Sequence, residues 1–162
     1  MRLRTGLVLG TEGGFLARLL MPAEFGLATV LGSGRQWLSW ITRDDLVRLI
    51  VHLMATPDVS GAVNGTAPEP VTHAAFTRHL TAVLGRPLIL RMPAAIVAAL
   101  GGDFARELLL GGQRVLPKRA LASGFDFRQP DLEAALWTML GKDKSGPRPE
   151  TAEAVETARA AG

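Results

Sequence analysis

The stretch WLSWITRDDLVRLIVHLM (37–54) constrains the fold most, because it runs an extended piece directly into a capped amphipathic helix. Thr42-Arg43-Asp44-Asp45 has the order in which a hydroxyl accepts an early backbone N–H, and two first-turn carboxylates suit the positive end of the helix dipole. Leu46, Leu49, Ile50, Leu53 and Met54 then recur at helical spacing and stop before Pro57, which predicts one apolar stripe. In the extended piece, Trp37, Ser39 and Ile41 share one face and Leu38 and Trp40 the other. Each surface needs a cover, and no single helix supplies both.

The rest of the chain repeats this alternation. RLRTGLVLG (2–10) reads as a buried strand, followed by a helix over 13–26 with Leu16, Leu19 and Leu20 inward and Pro22 near its end. A short strand is expected over 61–67 and a helix from Thr72 to Leu84, with Phe76, Leu80, Val83 and Leu84 inward and Gly85 as its stop. RPLILRMP (86–93) reads as a strand, and 94–110 as a helix broken at Gly101-Gly102 and restarted by Asp103. LPKRALASGF and QPDLEAALWTML give two more short helices, and 142–162 reads as a disordered tail. The order predicts an α/β or α+β protein.

Composition removes several function classes. With no cysteine, disulfides, thiolate catalysis and Cys-ligated metals are excluded. Eighteen basic residues against 15 acidic leave a net charge of +3, and the basic residues are scattered along the sequence, which does not point to nucleic acid. The most apolar stretch, MPAAIVAALGG (92–102), is about half the ~20 residues of a membrane span. Residues 1–20 lack a signal-peptide profile, so a cytoplasmic protein is expected.

The catalytic constellations are incomplete. LVLGTEGGFLARLL is a strand, a glycine turn and a helix, but Gly10, Gly13 and Gly14 do not have the G-x-G-x-x-G spacing that cradles a dinucleotide. His73 and His79 are six apart and so do not share a helix face as a metal pair would; no metal site is expected. No serine lies in G-x-S-x-G or S-x-x-K, and Asp44 and Asp45, being adjacent, point apart, so helix capping accounts for them better than a dyad. No catalytic residue is assigned. The Arg35–Trp40 segment stays open between two readings. It lines a pocket for a polar small molecule, or it places one tryptophan in the core and the other over a helix.

Five blocks carry a resemblance: LRTGLVLGTEGGFLARLL, LGSGRQWLSWITRDDLVRLI, GAVNGTAPEPVTHAAF, RPLILRMPAAIVAALGG and QRVLPKRALASGFDFRQPDLEAAL. In this order they resemble the atypical extended short-chain dehydrogenase/reductases, the NAD(P)-dependent epimerase family proteins, from about Arg2 to Leu140. The resemblance is to the C-terminal half of that family. It implies the late strands and helix of a Rossmann-type α/β fold over 1–67, a small α+β substrate-side domain over 68–140, and a tail over 141–162. It further implies that Arg4, Gly6 and Val8 border the cofactor, NAD or NADP, and that Arg35, Gln36 and Trp40 face a small-molecule substrate. Asp45 matches an acid of the wider epimerase family. The family's Tyr-x-x-x-Lys pair has no counterpart, since the chain contains no tyrosine. Sugar-nucleotide epimerases carry a phosphate-binding arginine where Leu38 stands, which argues against a nucleotide-sugar substrate. Two functions follow. One is the substrate wall of an epimerase-like oxidoreductase or isomerase, inactive alone and acting as a homodimer or with a Rossmann half. The other is a short non-catalytic ligand- or partner-binding protein derived from that fold. Neither a nucleic acid nor a membrane is expected as partner.

Overall fold

The computed structural model describes residues 1–86, 90–92 and 112–141. The expected helix over 94–110 and the tail over 142–162 lie outside them. The described elements are β1 (Arg2–Thr5), β2 (Leu7–Leu9), α1 (Gly14–Glu24), β3 (Thr29–Leu31), β4 (Trp37–Leu38), β5 (Trp40–Thr42), α2 (Arg43–Ala55), β6 (Ala62–Gly65), β7 (Val71–Thr72), α3 (His73–Leu84), β8 (Leu90–Met92), α4 (Lys118–Ala122) and α5 (Leu132–Met139). Three pairings are parallel, β1 with β6, β2 with β5 and β3 with β8, and one, β4 with β7, is antiparallel. Parallel strands joined through helices are the mark of the α/β class.

Residues 2–10 are not one buried strand. The run breaks at Gly6, where the partner changes: the Gly6 amide donates to the Gly65 carbonyl at 3.0 Å and the Leu7 amide to Ser39 at 2.8 Å. Periodicity does not reveal this, because a change of pairing partner leaves no mark on the sequence of the strand that makes it. A Cβ on Gly6 would overlap the Ser39 carbonyl oxygen, so glycine is what lets the two backbones meet.

The strands lie between two apolar clusters, and β5 feeds both. Trp40 joins Leu9, Phe15, Leu16, Phe76, Leu80, Leu132 and Leu136 on the side of α1, α3 and α5. Ile41 joins Leu49, Leu53, Val63, Ala120, Phe125 and Phe127 on the side of α2. The period-2 alternation of WLSWI is therefore realised. Phe15 and Phe76 meet edge to face with centroids 5.3 Å apart, a geometry favoured by the ring quadrupoles.

The three longer capped helices begin as their sequences require. Thr42 Oγ1 accepts the Asp45 amide, Thr72 Oγ1 the Ala75 amide and Asp131 Oδ1 the Ala134 amide. Gly85, left-handed at φ 65°, closes α3. The stripe predicted for α2 is only half used. Leu49 and Leu53 are buried, whereas Ile50 and Met54 join Val47 and Val51 on an exposed side. None of the described residues packs over that side.

Candidate functional site

The two stretches expected to form a site are brought together by backbone hydrogen bonds. Leu7 pairs with Trp40, Val8 with Ile41 and Leu9 with Thr42, so the strand carrying Gly6 and Val8 runs beside the strand carrying Trp40. Gly6 presents only backbone, and Val8 packs against the cluster around Ile41 and Leu49. Arg4 pairs in register with Asn64. Leu3 and Val63 face α2, so Arg4 and Asn64 project from the other face of the pair.

Around the tryptophans the outcome differs residue by residue. Glycines at 32 and 34 take positive φ and turn the chain. Arg35 follows, exposed. The half-buried Gln36 donates from Nε2 to the Leu31 carbonyl at 3.0 Å, while its own carbonyl accepts the His73 amide at 2.9 Å. Trp37 is half-buried beneath the Arg114 guanidinium, 5.1 Å from the ring centroid. Trp40 is fully buried, and its Nε1 donates to the Glu69 carbonyl at 2.8 Å. Its one donor is thus committed, and its ring faces the core rather than a cleft. Of the three residues expected at a substrate, Arg35 and Gln36 reach the surface and Trp40 does not.

Several polar residues that organise this region carry no local sequence signal. The Ser39 hydroxyl donates to the Gln113 carbonyl at 2.7 Å and accepts the Val115 amide at 2.8 Å. Asn64 donates to the Leu116 carbonyl at 3.2 Å. Together they hold 113–116 along the ends of β4 and β6. Asp45 is 1% exposed; its two oxygens accept the Arg128 and Gln129 amides at 3.0 and 2.9 Å and the Arg48 guanidinium at 2.7 Å. Its role is therefore a latch between α2 and the approach to α5, more than the helix capping its sequence suggests. His52 Nε2 lies 3.0 Å from the Ser123 hydroxyl and 3.1 Å from the Ser123 carbonyl. Ser123 in turn donates to the Ala120 carbonyl, so the pair closes α4 and holds no nucleophile ready.

Two clefts flank these strands. One, about 240 Å³, opens at the carboxyl end of β2 between Gly10, Thr11, Thr42, Arg43, Arg128 and Gln129. The carboxyl ends of parallel strands are where α/β proteins place their ligands. The other, about 380 Å³, lies on the Arg4 face of the β1–β6 pair. Among the described residues no group of three or more His, Asp or Glu side chains could hold a metal ion, and no helix is long and apolar enough to cross a membrane.

Comparison with known proteins gives this arrangement a context. Residues 92–138 match a domain of unknown function, DUF1731. The chain is 41% identical over 133 residues to the human epimerase family protein SDR39U1, covering 82% of this chain and 45% of that protein. It is 44% identical over 133 residues to the epimerase family protein MT2273 of Mycobacterium tuberculosis, with 82% and 44% covered. The crystal structure of human SDR39U1 (isoform 2) with NADPH superposes with a TM-score of 0.80 at 38% identity, over 86% of this chain and 47% of that one. The chain spans about half the length of the curated relatives it matches.

Proposed function

Because the chain belongs to the epimerase family of extended short-chain dehydrogenase/reductases and matches the C-terminal half of their fold, we propose that it forms the substrate-side wall of an NAD(P)-dependent epimerase or oxidoreductase site. A nucleotide-binding α/β unit completes that site. One observation carries the reading: surfaces that an α/β protein normally covers are bare. Strand β1 is parallel, a type buried on both faces in complete sheets, yet Arg2, Arg4 and Thr5 are exposed. The apolar side of α2 is likewise exposed, with none of the described residues over it.

The chain's own residues do not fit a complete dinucleotide site. Leu16, fully buried, stands where the third glycine of the phosphate-binding turn would be, and there is no tyrosine to move a proton. Its share of the cofactor contact is the backbone of Gly6 to Val8 with Arg4 beside it. Its share of the substrate contact is Arg35 and Gln36, with Trp40 acting from the core by fixing the strand behind them.

The test is hydride transfer from NADPH to carbonyl substrates. It is measured with the purified 162-residue chain alone and after mixing with a nucleotide-binding half made from a relative. The chain alone is expected to show no turnover and the mixture to recover it. Robust turnover by the chain alone overturns the proposal. The bare face of α2 also favours a second reading, a non-catalytic partner-binding protein. That reading expects stable self-association or a captured partner, and a strict monomer in sedimentation counts against it.

A further inference from the structure

The 380 Å³ cleft on the Arg4 face of the β1–β6 pair is lined by Arg4, Lys118 and Arg119, with Gly61, Ala62, Asn64 and Leu116 completing the wall. Three cations and no carboxylate face one volume. The whole chain sums to +3, so its remaining charges cancel. A cleft lined by one sign of charge concentrates counter-ions of the other.

The three cations are held differently. Arg119 is fixed by the backbone: its Nη1 donates to the Ser60 carbonyl at 2.7 Å and to the Ala62 carbonyl at 3.2 Å. The guanidinium lies against Gly61, where a Cβ would strike Nη1 and where φ is +78°. Two backbone acceptors and a glycine thus pin one end of the fork. Its other N–H groups bond to none of the described residues. Arg4 and Lys118 are exposed, and their side chains make no hydrogen bond or ion pair with any described residue. A planar, pre-positioned guanidinium flanked by two mobile cations suits a tetrahedral oxyanion, which takes bidentate bonds from arginine and point charge from lysine.

We propose that the Arg4–Lys118–Arg119 cleft binds a phosphate-type dianion, either free or carried on a nucleotide. The cleft shares Arg4 with the proposed cofactor contact, but anion binding by the chain alone is read without turnover, so failure of one proposal is distinguishable from failure of the other.

Calorimetric titration of the purified chain with inorganic pyrophosphate at low salt tests it. Saturable binding is expected, weakening as salt is raised. The double variant Arg4→Gln/Lys118→Gln is expected to lose at least about tenfold in affinity, or ~1.4 kcal/mol. Arg119→Gln should lose as much. Because Arg119 also ties down Ser60 and Ala62, the double variant, which breaks no bond to a described residue, keeps the test clean if Arg119→Gln fails to fold. Arg78→Gln, an exposed arginine on α3 outside the cleft, should bind like the parent. Displacement of pyrophosphate by NADPH would support a nucleotide-borne phosphate, and binding that NADPH does not displace would support free phosphate. Absence of saturable binding, or equal affinity in the double variant, overturns the site.

Discussion

His73 is the first residue of α3, fully enclosed, and its Nε2 has no hydrogen-bond partner among the described residues. Burial disfavours the imidazolium and lowers its pKa to about 4. The unfolded chain therefore takes up a proton at this histidine near pH 6.5 while the folded chain does not. Stability is complete above about pH 6.5 and falls as pH drops toward about 4. Between about pH 7.5 and pH 5.5 this histidine should cost the fold roughly 1 kcal/mol, and His73→Leu should flatten that slope in urea unfolding. A slope unchanged in the variant would refute the assignment. Asp45 is a buried carboxylate held by three donors, the Arg128 and Gln129 amides and the Arg48 guanidinium. Asp45→Ala removes the acceptor of two part-buried amides and of the Arg48 guanidinium and should cost about 1–3 kcal/mol, read as a shift of the urea midpoint.

At the scale of elements, the break at Gly6 makes the strongest demand on the sequence. Gly6→Ala drives a methyl into the Ser39 carbonyl oxygen, a backbone atom that cannot swing aside. A loss of about 1–3 kcal/mol in thermal or urea unfolding is expected, and a neutral effect would mean that the two strands separate easily. Helix starts were legible beforehand because a cap is local: Thr42 and Thr72 each meet an amide three residues on. The same holds for the alternation of Trp40 and Ile41, which is a property of any strand. The strand break was not legible, since Arg2–Thr5 and Leu7–Leu9 are both extended and continuous in sequence, and the change of partner at Gly6 has no local signal. Nor was the latch at Asp45, whose acceptor bonds reach 83 and 84 residues along the chain. In the candidate site, the sequence pattern left the direction of Trp40 open. A tryptophan on a strand reads the same whether its ring meets a ligand or the core.

For the molecule as a whole, the partner-binding reading proposed above makes the exposed apolar side of α2 the surface through which the chain associates. Val51 is 62% and Met54 78% exposed, beside Val47 and Ile50. Val51→Glu with Met54→Lys should abolish concentration-dependent sedimentation and leave unfolding stability within about 0.5 kcal/mol, because neither side chain is in the core. A parent chain that already sediments as a monomer at every concentration would contradict this. The latch on Asp45 also has a consequence for synthesis. Its two amide donors belong to Arg128 and Gln129, and the core of α1 and α3 is closed by Leu132 and Leu136. A nascent chain that has delivered α2 and even α3 from the ribosome still holds a carboxylate it cannot desolvate and a core without its lid. Commitment to the native state must wait until α5 has emerged, because the carboxylate on α2 meets its amide donors 83 and 84 residues further along and the core of α1 and α3 is closed by α5.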